Sequence, residues 1–575
     1  MDTPRVPVKI RSIRLSYPCA VLATVLIVGG APPASPGLTG CAAPPPRSPD
    51  SGAGTLAPAL AASSLASGAA RSVGPSASAS ALVPPAATAP EATRTSPEGD
   101  LGSAPATPVT QPAAPPHAWK GGELQRAVTQ LARWVKNSGG SLAAELSDVA
   151  SGAVLGSHSP NSPENPASNQ KILTTATVLH HFGAEYRFRT WLCGSRNGAS
   201  LPRLVLRGSG DPSFSSGDLQ VMAKALAKTG VRQVADVLVD QSFFDRAFVP
   251  PAFEQQPEEW AAFRAPVSAV SLNRNVTTLN VKPTEAGRPA TVWFDPPGLV
   301  DVTGSVRTDT KERTQNVKLT LKEAGSRLTA IVAGTIPPNS PAFHWSRRVD
   351  DPTLLAGYGL EAALGAEGIQ VSGRLLAGGE DERNELVVHD SKPLAELLPE
   401  LGKESDNFYA ETLLKDLGAR VKGAPATSEN GAAAVLDYLR EIEAWEPGTR
   451  ITNGSGLFDA NRVSAHTLVS TLVHAYRETT SSRVFVEQLA VGGVDGTLKH
   501  RFASFRKTRA IRAKTGTLDQ VIALSGYVFR PDGSSPVAFA LIVSGISGKH
   551  AEVRKRVDEV VSNVARELAR DVSAG

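Results

Sequence analysis

Cysteine is scarce in this chain of 575 residues: there are three, Cys19, Cys41 and Cys193. Cys19 falls inside an N-terminal export-like segment and Cys193 is the only one in sequence of folded character, so no intrachain disulfide framework can be built. Cys193 reads as a filler of apolar space within Thr190-Trp191-Leu192-Cys193. Metal-site signatures are missing as well, with no H-E-x-x-H and no paired C-x-x-C, so nothing asks for a metal or other cofactor. There is no G-x-S-x-G elbow, and so no reason to assemble a Ser-His-Asp triad. Charge of one sign is not in excess: 59 basic against 55 acidic residues leave a net +4, and no basic run is interleaved with aromatics. That excludes the usual nucleic-acid-binding footprint. Beyond the N-terminus no segment approaches membrane-spanning length without charges.

What is present begins with an export signal. Arg5, Lys9, Arg11 and Arg14 form a positive leader, and Ala20 to Val28 supply an apolar stretch too short for a stable anchor. Leu38-Thr39-Gly40-Cys41 resembles the lipobox of bacterial lipoproteins, in which the cysteine is lipidated and becomes the new N-terminus. The alternative is ordinary cleavage nearer Ala31 to Ser35, with Cys41 a linker residue. Residues 42–117 are nearly all Ala, Pro, Ser, Gly and Thr, lack periodic apolar positions and read as an extended disordered tether.

Folded sequence starts near Trp119. Leu124, Val128, Leu131 and Val135 share one helical face. Leu142 to Leu155 reads as a strand pair turning at Ser151-Gly152. A helix from Ser168 through His181, stopped by Gly183, follows. From about Tyr186 to Gly379 short β-like runs dominate, among them Arg203–Arg207, Val237–Val239, Thr277–Val281, Thr291–Phe294, Val317–Leu321 and Leu328–Val332. Helical sequence returns at Leu354–Leu364. Strands at Ala523–Phe529 and Val537–Ser544 and a helix at Ala551–Arg570 close the chain. The simplest architecture is one α/β domain split by a long β-rich insertion.

One kind of serine hydrolase can be tested by order alone, through Ser-x-x-Lys, Ser-x-Asn and Lys-Thr-Gly. A serine hydroxyl is a weak nucleophile and needs a base beside it. On a helix, residues three apart share a face, so Ser-x-x-Lys delivers an amine to the hydroxyl. Burial or a nearby cation lets lysine serve as that base. Each motif has decoys here: Ser-x-x-Lys recurs at Ser504/Lys507, Ser-x-Asn occurs at Ser159, Ser195, Ser271, Ser405 and Ser428, and Lys-Thr-Gly also begins at Lys228. No Ser-x-Asn follows Ser504. Lys228-Thr229-Gly230 ends a helical run, where glycine is a routine stop. Order therefore selects Ser168, Lys171 and Lys514, and leaves the middle serine open.

At this point the chain resembles the class C low-molecular-mass penicillin-binding proteins, of the penicillin-binding-protein-4 type, which are D-alanyl-D-alanine carboxypeptidases and endopeptidases. The likeness is carried by Pro166-Ala167-Ser168-Asn169-Gln170-Lys171, by Ser405 to Glu411 (SDNFYAE) and by Ala513-Lys514-Thr515-Gly516-Thr517-Leu518. Gly210-Asp211-Pro212, Ala265 to Ala269, Asn453 to Leu457 and Gly493 to Thr497 add to it. The resemblance implies an α/β (α+β) penicillin-recognising, β-lactamase/transpeptidase-like domain made of residues 118–190 and 388–575. It implies a β-rich inserted domain of 191–213 and 272–387, with a second domain, 214–271, nested inside.

Carried over residue by residue, Ser168 is the acylated nucleophile, Lys171 its base and Ser405 the proton relay. Asn407 orients the substrate amide. Lys514 binds the substrate carboxylate and depresses the pKa of Lys171. Thr515 and Thr517 offer hydroxyls to that carboxylate, and the backbone N–H groups of Ser168 and Thr517 form the oxyanion hole. Peptidoglycan peptides and β-lactams are the implied ligands, in the periplasm or cell envelope, with a membrane reached only through a lipid on Cys41. Two other functions share these residues: a β-lactamase or esterase on the same machinery, for which no separate water-activating residue is visible, and a non-catalytic peptidoglycan-binding scaffold.

Overall fold

The computed structural model describes residues 122–574, apart from 258, 312–313 and 380–383. The export segment, Cys41 and the tether fall outside the described residues. Helix α1 (Glu123–Asn137) buries Leu124, Val128, Leu131 and Val135 on one face. It packs on the hairpin β1 (Ser141–Asp148) and β2 (Val154–His158). Asp148 closes the hairpin turn by accepting from the Ser151 N–H at 2.8 Å and its hydroxyl at 2.7 Å. A 3₁₀ turn, Ala167–Asn169, then leads into α2 (Gln170–Phe182), which stops at Gly183 with φ +77°. Ser168 thus lies on the tight turn ahead of the helix expected to begin with it.

The insertion runs through β3 (Arg189–Cys193), β4 (Ser200–Gly208), α3 (Ser216–Lys228) and β5 (Gln233–Asp240). A capping box of Ser215 and Asp218 starts α3. Next come β6 (Val276–Lys282), β7 (Thr291–Asp295), β8 (Val300–Gly304), β9 (Arg307–Thr308), β10 (Asn316–Ala324), β11 (Arg327–Ile336) and β12 (Phe343–Arg348). Helix α4 (Pro352–Ala366), β13 (Gln370–Val371), β14 (Leu375–Ala377) and β15 (Glu385–Asp390) lead back. Because β15 pairs antiparallel with β3, the insertion leaves and returns by neighbouring strands. Its sheet runs β13-β5-β4-β3-β15 with β14 beside β5, and two smaller sheets run β12-β6-β7 and β10-β11-β8, with β9 on β11.

The segment 214–271, expected as a nested unit, is shared between two cores. Leu219, Met222 and Val237 pack with Leu206 and Leu360, whereas Phe244, Ala265, Val267 and Ala269 pack with Leu173 and Leu413 of the catalytic body. Residues of β6 to β12 do have a core of their own, with Leu279, Phe294 and Val332 at its centre.

The chain then supplies α5 (Leu394–Gly402), α6 (Asn407–Lys422), α7 (Ser428–Glu441), α8 (Ala465–Arg477) and α9 (Ser482–Glu487). Strands β16 (Ala490–Val491), β17 (Ile511–Leu518), β18 (Val521–Val528) and β19 (Val537–Ser544) and helix α10 (His550–Ala574) complete it. The catalytic sheet has the order β16-β17-β18-β19-β1-β2 and joins both ends of the folded chain. Its central strands are apolar on both faces, as a sheet covered on both sides requires. Ala523, Ala538, Ala540 and Ile542 face the α2/α8 side, and Ile522, Leu524, Phe539 and Leu541 face α1 and α10.

One contact between the insertion and the catalytic body is unusual. Asp416 on α6 is buried and neither of its carboxylate oxygens has a partner. It lies against Gly210, where any side chain would strike its carboxyl. Neighbouring Asp211 is also buried; one of its oxygens accepts from the Ser213 hydroxyl at 2.6 Å, and the other has no hydrogen bond and lies 3.9 Å from His389 Nε2. Burial, reinforced by the charge of Asp211, pushes the Asp416 carboxyl well above the usual range.

Candidate active site

Ser168 is held by strained backbone on its N-terminal side. Ala167 is buried at φ +46°, a left-handed conformation unusual for a residue with a side chain. Its N–H donates to the Asn165 side-chain Oδ1 at 2.9 Å, and the Asn165 Nδ2 donates to the Phe458 carbonyl at 3.0 Å. Gly456, at φ +74°, presses its backbone onto the Ala167 carbonyl where a Cβ would collide. Asn169, in the amide orientation that suits both neighbours, donates to the Lys514 carbonyl at 2.8 Å and accepts from the Ser525 hydroxyl at 2.7 Å. The serine turn is thereby pinned to both β17 and β18.

Three residues on, Lys171 is completely buried with its Nζ 3.0 Å from the Ser168 Oγ. Two other acceptors surround that nitrogen, the Asn407 Oδ1 and the Ser455 carbonyl, each at 2.8 Å. Both are pure acceptors. A neutral amine has two hydrogens to give them, and its lone pair then points at the Ser168 hydroxyl. Burial pushes Lys171 down to about 7, against the pull of the Glu411 and Asp406 charges. The amine is therefore available as a base near neutrality.

Glu411 builds one wall of this pocket. It follows Asn407 by one helical turn on α6, so the two side chains share a face. Its carboxylate accepts the N–H groups of Gly454 at 3.0 Å and Ser455 at 2.8 Å, which aims the Ser455 carbonyl at Lys171. Burial raises the Glu411 pKa, opposed by those hydrogen bonds and by Lys171.

Ser405 belongs to a second cluster. It sits at φ +62° just before Asp406, which caps α6 by accepting from the Tyr409 N–H and is held by Arg274 at 2.7 Å. Strain of this kind is retained where surrounding contacts over-determine it. Lys514 Nζ donates to the Ser405 Oγ at 2.7 Å and to the Thr515 carbonyl at 2.9 Å. Lys514 is buried too, and burial followed by repulsion from Lys171 drives its pKa well below the usual lysine value. Among the described residues no hydrogen bond joins Ser405 to Ser168 or Lys171.

The other expected residues line this cleft unevenly. Asn407 Nδ2 donates to the carbonyl of Phe263, on a 3₁₀ turn (Ala262–Arg264) of the insertion, at 3.2 Å. Only Ala513 and Arg512 of β17 are paired by β16, so from Lys514 onward its outer edge has no strand partner among the described residues. Thr515 is half-buried there and its hydroxyl makes no hydrogen bond among the described residues. The Thr517 hydroxyl, by contrast, accepts from Arg554 on α10 at 3.3 Å.

Residues 125–566 match the model of the D-Ala-D-Ala carboxypeptidase 3 (S13) family. The chain belongs to that family. The S13 chain is 32% identical over 425 residues to a D-alanyl-D-alanine carboxypeptidase of Actinomadura sp. (strain R39), covering 70% of this chain and 77% of that protein. It is 25% identical over 400 residues to the D-alanyl-D-alanine carboxypeptidase DacB of Haemophilus influenzae, covering 66% and 80% respectively. Penicillin binding protein 4 (dacB) from Haemophilus influenzae shares its fold, with a TM-score of 0.62 at 22% identity over 76% of this chain and 99% of that one. The same protein complexed with a β-lactam superposes with a TM-score of 0.59. The fold is thus that of the penicillin-recognising S13 enzymes. Within it, Asn165, Phe263 and the roles of Glu411 and Ser455 were not anticipated. Glu411 and Ser455 lie in segments that carried the family likeness, and the spacing of Asn407 and Glu411 on one helical face was a further local signal.

Proposed function

We propose that this S13 chain is a serine D-Ala-D-Ala carboxypeptidase that works through an acyl-enzyme on Ser168. The observation that carries the reading is the coordination of Lys171, whose buried Nζ lies 3.0 Å from the Ser168 Oγ and 2.8 Å from each of two carbonyl acceptors. The Ser168 Oγ attacks the carbonyl carbon of the penultimate D-alanine while its proton passes to Lys171. The oxyanion is met by the backbone N–H groups of Ser168 and Thr517. The C–N bond then breaks, and the departing amine of the terminal D-alanine takes a proton relayed through Ser405. Water hydrolyses the resulting ester and regenerates Ser168. Asn407 holds the substrate amide after exchanging its Phe263 partner, and Lys514, Thr515 and Thr517 receive the terminal carboxylate.

Peptidoglycan stem peptides are the proposed substrates, with β-lactams acylating the same serine. Intact-protein mass after benzylpenicillin treatment, followed by peptide mapping, tests the assignment. One adduct on Ser168, absent in Ser168→Ala, is the expected result, and a label on Ser405 or Ser504 overturns it. Mass spectrometry of digested peptidoglycan separates carboxypeptidase from endopeptidase products. We place the enzyme in the cell envelope, tethered by residues 42–117 to a lipid on Cys41, on the strength of the lipobox-like sequence. Palmitate incorporation that survives Cys41→Ala contradicts the anchor without touching the peptidase reading.

A further inference from the structure

The edge of β17 has a positive charge behind it that the three motifs do not contain. Arg554, half-buried on α10, donates from Nη2 to the Thr517 hydroxyl at 3.3 Å. A hydroxyl that accepts from a guanidinium keeps its own proton free, and that proton must point to some other acceptor. Arg554 forms no ion pair among the described residues. The nearest acids along its helix are engaged elsewhere, Asp558 with Arg501 and Glu552 with Arg556. It lies in an open groove of about 400 Å³ whose other charged residues are Arg501, Lys555 and Arg566 with Asp558 and Glu559.

Lys514 makes a poor substitute for that charge. Its ammonium is buried and spends its hydrogen bonds inward, on Ser405 and the Thr515 carbonyl. Burial and the neighbouring Lys171 both work against its proton. A guanidinium does not lose its proton in this way. At the unpaired edge of β17, a carboxylate therefore meets a weakened lysine and a hydroxyl polarised by a permanent cation.

We propose that Arg554 is a positioning residue for the terminal carboxylate of the substrate: it turns the Thr517 proton outward to donate and adds a fixed positive charge behind it. The proposal rests on the reading of Ser168 as nucleophile and of β17 as the carboxylate-binding edge. Its consequence is selectivity, because an acyl donor lacking a free carboxylate gains nothing from Arg554.

The test compares two donors with the same N-acyl-D-alanyl group in the full chain. One is the D-Ala-D-Ala peptide, and the other is a thioester whose leaving thiol is uncharged. Arg554→Ala should lower kcat/KM for the peptide roughly 10- to 100-fold, the range expected for a hydrogen bond strengthened by charge, and leave the thioester unchanged. Arg554→Lys should restore part of the loss. Thr517→Val should also lower kcat/KM for the peptide, and adding Arg554→Ala to it should cost the peptide less than Arg554→Ala costs alone, since the two share one hydroxyl. Equal losses on both donors, or none on either, overturn the proposal. Turnover of either donor by Ser168→Ala is a separate result, and would remove the nucleophile reading instead.

Discussion

Replacing Lys171 by methionine should abolish acylation and, at neutral pH, relieve the protein of a charge it houses badly. Methionine is unbranched and of similar length, so it can follow the same channel. Lys171 titrates near 7 in the fold against an ordinary 10.5. The folded state therefore binds fewer protons than the unfolded chain across that window, and wild-type stability rises with pH through it. At about 1.4 kcal/mol per pKa unit, the ionisation penalty is about 5 kcal/mol at pH 6 and about 2 kcal/mol at pH 9. The methionine variant carries none of this. It does strand the Asn407 Oδ1 and the Ser455 carbonyl, at roughly 1–3 kcal/mol each, but that cost does not change with pH. The difference between variant and wild type is thus the clean quantity, and should shift against the variant by about 3 kcal/mol from pH 6 to pH 9. Urea unfolding of both proteins at several pH values measures it. Parallel stability curves would refute the argument, because they would mean that Lys171 titrates as an exposed lysine does. The same shift predicts that wild-type acylation by penicillin climbs to a plateau through about pH 7, since at that pH the neutral amine is roughly a thousandfold more abundant than for an ordinary lysine.

Asp416 should behave with the opposite sign. Its folded pKa is raised, so its contribution to stability is full below the ordinary carboxyl value of 3.8 and is lost as pH rises toward the folded value. Asp416→Asn should then raise the unfolding midpoint at pH 8 and lose that advantage toward pH 4, and a variant less stable than wild type at pH 8 contradicts it. Gly456→Ala should push the Ala167 carbonyl and with it Ser168, destabilising the fold by roughly 1–3 kcal/mol and slowing penicillin labelling. Labelling at the wild-type rate would show that Ser168 does not depend on this contact.

The elements with clear periodicity were legible in the sequence, among them the apolar face of α1, the β1–β2 hairpin and the strands β18 and β19. The S13 family, with its fold, was legible from the ordered motifs, since decoys such as Lys228-Thr229-Gly230 fail on order and local context. The partition of the insertion was harder, because Phe244 and Ala265 to Ala269 look local yet pack on helices of the catalytic body. Thr517 was read as offering its hydroxyl to a carboxylate; its partner Arg554 was not legible, because it lies on α10 with no local pattern to link the two. The charge of Lys514 was expected to set the pKa of Lys171. In the fold, burial is the first cause for both lysines, and the two are close enough to repel each other.

The catalytic sheet also constrains how the protein is made. Strand β1 finds its partner in β19, with Ser141 opposite Ser544, so some four hundred residues must be synthesised before its buried edge is covered. Pairings of such long sequence separation form late and leave sticky intermediates meanwhile. Ser168, Lys171, Ser405 and Lys514 all emerge earlier, yet the strand that backs them and the helix carrying Arg554 come last. A chain that stops before Val537 has every motif residue and no closed sheet to hold them. Penicillin labelling is therefore expected only of chains synthesised through β19.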